Sequence, residues 1–415
     1  MSSHPEGKCP YSLKDLNRIN PFEVYEAMRA EGDVIWDEQT RAWLFMTATG
    51  CRKLMQQDME NLRFWTTSLG EAADDIQGRR SLKLLTGEQH HKLHRWWLKR
   101  LGSMELEQFR ESGIRSIANM LVDRFAADGR AELYSQYAEH LPVRAVCSVL
   151  GLPWQDDEWV GSIFETMKPI QQFFNYSMVG DEDTVNAARR ATKKIESLLL
   201  PFIEERRSGT GTDLISRLWL DGPELLDDWS VKDIQTNSRH LLFAGSETTV
   251  SAISSALYLL MTEKGLADRV RDGGEKALRN YVEEVLRLYG PVHYRGRITN
   301  REIDVAGTKI DKDEFVVAMQ AAANRDPNYY KNAPEIDLNR PSPRDHIAFN
   351  FGAHNCVGAG LARMEIQETV RIFLDRLPDM HLEPTAEPPR LQGHQARNFS
   401  PLNVVFTPSR GISRP

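Results

Sequence analysis

Hydrophobic residues recur every three or four positions over much of the chain, a spacing that predicts amphipathic helices. The clearest stretches are 21–29, 163–177, 230–264 and 281–289. Pro21 opens the first of them, as proline often does at a helix start. Ser230 and Asp233 give the third the spacing of a capping box, and Gly290 ends the fourth. The pattern predicts helices at these four places.

Two short segments near the N-terminus have a different character. Residues 34–36 and 42–46 are rich in Val, Ile, Trp, Leu and Phe, and charged turn residues separate them. Such residues favour strands because they pack well on a pleated surface. The sequence therefore predicts two strands of a small sheet.

Length and charge limit the class of protein. The chain has 415 residues, and no Pro/Gly/Ser-rich linker divides it. We therefore predict one domain over residues 1–415, with 1–20 as a loosely held N-terminal arm. The net charge of -7 argues against nucleic acid as a partner.

The cysteines and the hydrophobic runs indicate the compartment. Cys9, Cys51, Cys147 and Cys356 are widely spaced and follow no disulfide or zinc-finger pattern. No apolar run reaches the roughly 18 residues that a membrane span needs, and the polar first residues do not resemble a signal peptide. We expect a reduced, cytoplasmic protein with no membrane anchor.

One loop carries candidate chemistry. Residues 349–358, with the sequence FNFGAHNCVG, place Cys356 between glycines and just before a predicted helix. The N–H groups and the positive dipole end of such a helix favour a thiolate over a thiol. No second cysteine lies close enough in sequence for a zinc site or a C-x-x-C redox pair. A single thiolate in a loop of glycines and aromatic residues suits axial ligation of haem iron.

The loop resembles the haem-binding motif of the cytochrome P450 superfamily, F-x-x-G-x-H/R-x-C-x-G. The matching residues are Phe349, Gly352, His354, Cys356 and Gly358. Asn350 departs from the motif, because the family usually has glycine there. The resemblance implies a mainly α fold, with a helix-rich lobe and a small β-rich lobe around a buried haem b, as in soluble bacterial members.

A second motif lies inside the longest predicted helix. The stretch 244–249, with the sequence AGSETT, is similar to the family pattern A-G-x-D/E-T-T. The resemblance implies that Ala244 and Gly245 border a local opening of the helix above the haem, where oxygen binds. It also implies that Thr248 holds the oxygen or its water and that Glu247 relays protons from solvent.

Further matches concern support of the haem. Glu284 and Arg287 fit the family's E-x-x-R motif, whereas Glu283 is out of register with it, and Arg340 matches an arginine that the family locks to this pair. Arg297 matches the arginine that meets a haem propionate. Glu284, Arg287 and Arg340 are expected to form a buried structural network.

A histidine-rich helix offers two registers for the family's H-x-x-x-R, whose side chains also meet the propionates. His91 and Arg95 satisfy the pattern literally. His90 and His94 fit better by their distance from Gly87, although His94 then stands in place of arginine. We favour His90 and His94 as cofactor-binding residues.

The implied function is a haem-thiolate monooxygenase that oxidises a hydrophobic small molecule with O2. Electrons would come ultimately from NAD(P)H through a ferredoxin and its reductase, and Lys92, Lys99 and Arg100 would form a basic patch for that acidic partner. Two alternatives are a peroxide-driven relative and a haem-binding sensor or carrier without turnover. The presence of Glu247 and Thr248 disfavours both.

The substrate itself is not readable from the sequence. Candidate pocket residues, matched to the family by position, are mostly apolar or aromatic, with a polar anchor at His293 or Tyr294. They are Phe64, Trp65, Phe173, Phe174, Leu241, Val292, His293, Tyr294 and Phe399. A terpenoid, aromatic or polyketide-like molecule would suit such a pocket.

Overall fold

A computed structural model of the chain describes residues 10–17, 20–57, 60–102, 107, 109–176 and 181–409. The chain divides into two compact units. One comprises Met1–Gly70, Arg279–Cys356 and Leu391–Arg397, and the other comprises Glu71–Leu278, Val357–Arg390 and Asn398–Pro415. The single domain expected for residues 1–415 stays a prediction.

Helices dominate the described residues. They are α1 (Pro21–Glu31), α2 (Ala48–Met55), α3 (Glu71–Gln77), α4 (Gly87–Arg100), α5 (Ser116–Asp123), α6 (His140–Leu150), α7 (Asp157–Tyr176), α8 (Glu182–Glu205), α9 (Leu214–Leu225), α10 (Val231–Thr262), α11 (Leu266–Asp272), α12 (Gly274–Tyr289), α13 (Gln320–Ala323) and α14 (Ala359–Arg376). The four predicted helices correspond to α1, α7, α10 and α12. None of the described helices has the length and hydropathy that a membrane crossing would require.

Shorter helical turns also occur among the described residues. The 3-10 turns lie at Leu13–Asn17, Trp65–Leu69 and Gly352–His354. The π-helical turns lie at Arg110–Arg115 and Tyr134–Ala138.

The described strands are short. They are β1 (Val34–Asp37), β2 (Ala42–Phe45), β3 (Leu62–Phe64), β4 (Arg130–Glu132), β5 (Arg295–Thr299), β6 (Ile303–Val305), β7 (Thr308–Ile310), β8 (Phe315–Ala318), β9 (His381–Leu382), β10 (Arg390–Gly393), β11 (Arg397–Ser400) and β12 (Asn403–Val405). They form sheets in the orders β1-β2-β8-β5-β3, β4-β12-β9, β6-β7 and β10-β11.

The first unit is built on the five-stranded sheet. The predicted strands β1 and β2 pair antiparallel, with Val34 opposite Phe45, and β2 continues in parallel with β8. Trp36, Trp43 and Phe45 belong to one buried cluster against the sheet. Large apolar residues of these strands, which are buried at nearly every position, therefore contribute to the core of this unit.

The described part of the N-terminal arm differs from the expected loose segment. Leu13 and Leu16 are fully buried. Both the Ser12 hydroxyl and the Leu13 N–H donate hydrogen bonds to the Asp37 carboxylate, at 2.9 and 3.0 Å. Residues 12–16 are therefore fixed by apolar burial and by a buried acceptor, whereas residues 1–9, 18 and 19 lie outside the described residues.

The second unit is organised around α10, which packs against α6, α8 and α14. Its start is the predicted capping box: the Ser230 N–H donates to the Asp233 side chain at 2.9 Å. Most of its interior positions are buried, including several serines. A helix enclosed in this way can hold polar side chains in a fixed position, because few alternative rotamers are open to them.

Candidate functional site

The cysteine loop is a tight turn in the first unit. The Cys356 N–H donates to the Phe349 carbonyl oxygen at 2.8 Å, which closes the loop around the 3-10 turn Gly352–His354. Gly352 has a φ of 76°, and a Cβ there would lie 2.6 Å from the Met55 carbonyl oxygen. Glycine is therefore required by both conformation and space. The Cys356 side chain is exposed, whereas Cys51 and Cys147 are buried.

Asn350, which replaces the family's usual glycine, keeps the glycine-like backbone. Its φ of 69° lies in the left-handed region, which asparagine tolerates better than most residues. Its side-chain amide donates to the His354 carbonyl oxygen at 2.9 Å. The departure from the motif therefore leaves the turn intact and adds a hydrogen bond across it.

Two arginines on β5 lie beside this loop. Arg295 and Arg297 are two positions apart, so their side chains share one face of the strand. Both line a pocket with Asn350 and His354. The Arg297 guanidinium lies 3.8 Å from the centroid of the Phe64 ring, and that ring also meets the His354 ring edge-on at 5.4 Å. Stacking on Phe64 holds Arg297 in a defined orientation.

The charges of this pocket indicate an anionic ligand. Burial and the neighbouring Arg295 charge lower the pKa of Arg297 to about 9. Burial also lowers the pKa of Arg295, against the opposing effect of Cys356. The Arg295 Nε is shielded from solvent and has no hydrogen-bond partner among the described residues. Two cationic groups without a described carboxylate partner fit the propionates of the haem that the resemblance implies.

A buried ionic network lies in the same unit. Glu284 accepts hydrogen bonds from the Arg287 Nε at 2.7 Å and from the Arg340 Nε at 2.8 Å. Arg287 also donates to the carbonyl oxygens of Asn324 and Ala333. Burial alone would raise the pKa of Glu284, but the hydrogen bonds from both arginines outweigh it and lower that pKa. The structure thus brings together the three residues expected to form this network.

The second motif lies on α10, in the second unit. The Thr248 hydroxyl donates to the Ala244 carbonyl oxygen at 2.9 Å, one turn earlier. The helix continues without interruption from Val231 to Thr262. The local opening expected at Gly245 is therefore not seen as a gap in the helix. A Cβ on Gly245 would lie 2.8 Å from a Val146 methyl group. The close approach of α6 therefore explains this glycine.

Glu247 is positioned by a residue that sequence reasoning missed. The Asn175 side-chain amide donates to Glu247 Oε1. Burial raises the pKa of Glu247 to about 7, although the bond from Asn175 acts in the opposite direction. A carboxyl group with such a pKa can both release and accept a proton near neutral pH.

The histidines of α4 form an inward-facing pair. His90 and His94 are buried, and their ring centroids lie 5.2 Å apart, whereas His91 and Arg95 are exposed. Burial, followed by the charges of His94 and His91, lowers the pKa of His90 to about 4. The His90 ring is therefore neutral at physiological pH. It can act as a hydrogen-bonding group but does not carry a positive charge. This burial favours the register of His90 and His94.

Two of the three basic residues expected to form a patch on α4 have acidic partners. Arg100 forms a salt bridge with Asp221 at 2.6 Å, and Lys92 pairs with Glu88 at 3.2 Å. Lys99 is exposed. The electron-donor site expected at these residues stays a prediction.

Several candidate pocket residues have structural contacts. The Tyr25 hydroxyl and His293 Nδ1 lie 2.8 Å apart, and the Tyr294 hydroxyl contacts the His394 ring, so the proposed polar anchors are buried and already hydrogen-bonded. Phe399 stacks on Tyr258, with centroids 3.8 Å apart.

The other candidate pocket residues have different surroundings from one another. Phe64 supports Arg297, Val292 pairs with Ala396 in a β-bridge, and Trp65 begins a 3-10 turn. Leu241, Phe173 and Phe174 lie on α10 and α7.

Arg295 and Asn175 are the principal residues that the sequence analysis missed. Strand alternation could have identified Arg295, because it stands two positions before Arg297. Asn175 offered no signal, since it lies 72 positions from Glu247.

Comparisons of the sequence with known proteins all point to one protein family. The family described as "Cytochrome P450" matches residues 20–397. The chain is 32% identical to mycinamicin IV hydroxylase/epoxidase of Micromonospora griseorubida over 71% of each chain. It is 27% identical to the polyketide biosynthesis cytochrome P450 PksS of Bacillus subtilis, over 91% of this chain and 92% of that protein.

Solved structures agree on the fold. The crystal structure of CalO2 superposes with a TM-score of 0.84, covering 95% of this chain and 97% of that one. Its sequence identity is 23%, so the likeness concerns the architecture.

Proposed function

Since this chain belongs to the cytochrome P450 family, we propose that Cys356 is the thiolate ligand of a haem b iron. The observation that carries the proposal is the pocket beside the cysteine loop, where Arg295 and Arg297 lie without a described carboxylate partner. Two propionates would supply the missing negative charge. By their match to the family motif we also propose His90 and His94, which are buried on α4, as cofactor-binding residues.

The chain is a P450 monooxygenase, like its hydroxylating relatives. Bound haem supplies the activation of dioxygen, one atom of which enters the substrate while the other becomes water. In this proposal Glu247 takes up protons near neutral pH, held in place by Asn175. The Thr248 hydroxyl donates its own hydrogen to Ala244, so its oxygen can accept a hydrogen bond from the proton-carrying group.

The relatives suggest a class of substrate. Proteins named for mycinamicin IV and for polyketide biosynthesis are similar to this chain over most of its length. We propose a hydrophobic small molecule of comparable kind, held against the aromatic side chains of α7 and α10. Electrons would come from NAD(P)H through a ferredoxin and its reductase in the cytoplasm; the partner, the electron source and the compartment are part of the proposal.

One experiment separates monooxygenase chemistry from the alternatives. The haem-loaded protein is supplied with NADH, a ferredoxin and its reductase, or with hydrogen peroxide alone, and NADH use and product are measured. Substrate-dependent NADH use with product formation supports the proposal. Product from peroxide alone would favour the peroxide-driven relative, and absence of turnover in both would favour a sensor or carrier.

A variant tests the role of Thr248. In Thr248→Ala we expect NADH consumption to continue while product falls and hydrogen peroxide makes up the difference, because the order of proton delivery is lost. A side chain that positions the transferred proton typically contributes about 10²–10⁴-fold. Serine at the same position is the matched control and should retain most of the coupling. Full coupling in Thr248→Ala would remove this residue from the mechanism.

A further inference from the structure

One face of α10 is accessible in the middle of the helix. Between residues 236 and 257, a stretch that the structure describes in full, the residues that are not buried are 240, 243, 244, 245, 247 and 248. With 3.6 residues per turn, positions three, four, seven or eight apart fall on the same side of a helix. These residues therefore form one accessible stripe, and Ala244 and Thr248 of the second motif lie on it.

His240 begins this accessible stripe. Its neighbours Arg239 and Leu241 are buried, whereas His240 itself is half-buried. Phe243 follows one turn later, and its ring lies tilted against that of Phe174 on α7, with centroids 4.6 Å apart. The stripe therefore presents one imidazole next to an aromatic, apolar surface. A molecule that reaches Thr248 along the stripe would pass both.

The His240 ring is neutral at physiological pH. Burial and the positive charges of Arg239 and Lys83 lower the pKa of His240 to about 3, although a hydrogen bond to the Gln77 backbone acts in the opposite direction. Because this bond favours the charged ring, the ring is its donor. A neutral imidazole has one N–H and one acceptor nitrogen. The nitrogen that remains on His240 is thus the acceptor.

We propose that His240 accepts a hydrogen bond from a hydroxyl group of the substrate, whose apolar part packs against Phe174 and Phe243. The substrate class is then a hydrophobic molecule that carries a hydroxyl group. A carboxylate or an ether lacks the proton that the acceptor nitrogen needs. This inference rests on the proposed function and narrows its substrate class.

The placement of His240 also bears on the position of oxidation. His240 and Thr248 are eight residues apart on one helix, a separation of roughly 12 Å along the axis. A hydroxyl held at His240 therefore stays away from the proposed oxygen site. We expect a long-chain alcohol such as 1-dodecanol to be oxidised in the half of the chain remote from its hydroxyl, and not at the alcohol carbon.

Two ligands that differ in this one proton test the hydrogen bond. The haem-loaded protein is titrated with 1-dodecanol and with its methyl ether, and binding is followed by the optical shift of the haem. The preference for the alcohol should be about fivefold or more greater in the wild type than in His240→Leu, as for a buried acceptor that loses its partner. His240→Phe keeps a ring and should give the same result if the leucine variant does not fold.

Rescue and control variants distinguish a hydrogen bond from a packing effect. His240→Asn and His240→Gln carry a carbonyl acceptor, and at least one of them should retain the preference for the alcohol. His381→Leu removes an exposed histidine of β9 and should leave that preference unchanged. Retention by an amide variant and loss in the leucine or phenylalanine variant would together support the hydrogen bond.

The carbon monoxide spectrum of each protein separates this inference from the proposed function. If the haem-thiolate centre is absent from the wild type, the proposed function fails. If the centre is intact but neither ligand binds, the proposed hydrogen bond is overturned. The same conclusion follows if His240→Leu and His240→Phe keep the preference for the alcohol, or if both amide variants lose it. Oxidation of 1-dodecanol at its alcohol carbon would also contradict this placement.

Discussion

Glu283 and Glu284 are consecutive residues of α12, yet their carboxylates hold different segments of the chain. Successive helical residues point about 100° apart, so the two side chains diverge. Glu284 accepts hydrogen bonds from Arg340 and from the Asp337 N–H. Glu283 instead lies 3.0 Å from His346 Nε2. The pair thus secures two successive points of the chain that leads into the cysteine loop.

The contact between Glu283 and His346 is linked to Cys356 through the residues that follow His346. The Ala348 N–H donates to His346 Nδ1 at 3.3 Å, so the ring proton is on Nε2 and is donated to Glu283. The His346 ring lies 6.1 Å from the Phe349 ring, and the Phe349 carbonyl oxygen accepts the Cys356 N–H. Glu283, which is out of register with the E-x-x-R motif, therefore has a supporting role of its own.

Removal of Glu284 should be severe. Glu284→Ala leaves the buried guanidiniums of Arg287 and Arg340 without their carboxylate, and breaking a buried ion pair costs about 3–5 kcal/mol. We expect little folded, haem-containing protein on expression.

Glu275→Ala is the matched control for this change, because Glu275 is an exposed carboxylate on the same helix that pairs with Arg371. Exposed pairs contribute about 0–1 kcal/mol, so this variant should express normally. Equal yields of the two variants would show that the Glu284 network is not structurally important.

Substitutions at His346 can separate its two hydrogen bonds. Gln imitates the Nε2 donor toward Glu283, whereas Asn imitates the Nδ1 acceptor for Ala348. His346→Asn should lose about 1.5–3 kcal/mol of unfolding free energy, since it loses the bond to a carboxylate, and His346→Gln about 0.5–1.5 kcal/mol.

Urea unfolding measures the difference between these variants, and amide exchange at Cys356 should accelerate more in the Asn variant. Arg344→Gln removes an arginine that is 69% exposed and also reaches Glu283, so it should change stability little. A more stable Asn than Gln variant would contradict the assigned roles.

The separation in sequence between interacting residues explains which features could be predicted from the sequence. The cysteine loop and the capping box of α10 depend on residues a few positions apart, so both could be recognised in the sequence. Arg100 lies 121 positions from Asp221, and Asn175 lies 72 positions from Glu247. Pairs of this kind depend on tertiary packing, which no local pattern encodes. The partner of Arg100 and the fixed position of residues 12–16 were missed for this reason.

Asn350 tests the conformation of the cysteine loop. Asn350→Gly keeps the left-handed backbone and loses one hydrogen bond, so we expect a loss of about 0.5–1.5 kcal/mol. Asn350→Val adds strain of about 1–3 kcal/mol, because a β-branched residue disfavours positive φ. Thermal unfolding and haem retention compare the two. A Val variant as stable as the Gly variant would show that this backbone conformation is not needed.

The pKa of Glu247 predicts a pH dependence. With a pKa of about 7, the carboxyl is protonated below pH 7 and can donate its proton there. Product formation limited by proton delivery should therefore fall as pH rises through about 7. Glu247→Gln should be slower throughout and lose this inflection. A wild-type rate that does not change between pH 6 and 8 would exclude Glu247 as the limiting donor.

The same shift predicts the direction of a stability effect. The folded pKa of Glu247 is raised above its ordinary value of 4.5, so the folded state binds more protons than the unfolded state between about pH 4.5 and 7. This group's contribution to stability is thus present below pH 4.5 and is lost as pH rises through about 7. Unfolding measured at pH 5 and 8 should show a smaller decline in Glu247→Gln.

The central claim is that Cys356 binds the haem iron as a thiolate, and the carbon monoxide difference spectrum of the reduced protein tests it most directly. The wild-type chain should show the long-wavelength band typical of thiolate ligation, and Cys356→Ala should lack it. Cys147→Ala, which removes a buried cysteine, is the control and should keep the band wherever the protein folds. Persistence of the band in Cys356→Ala, or its absence from the haem-loaded wild type, would contradict the assignment.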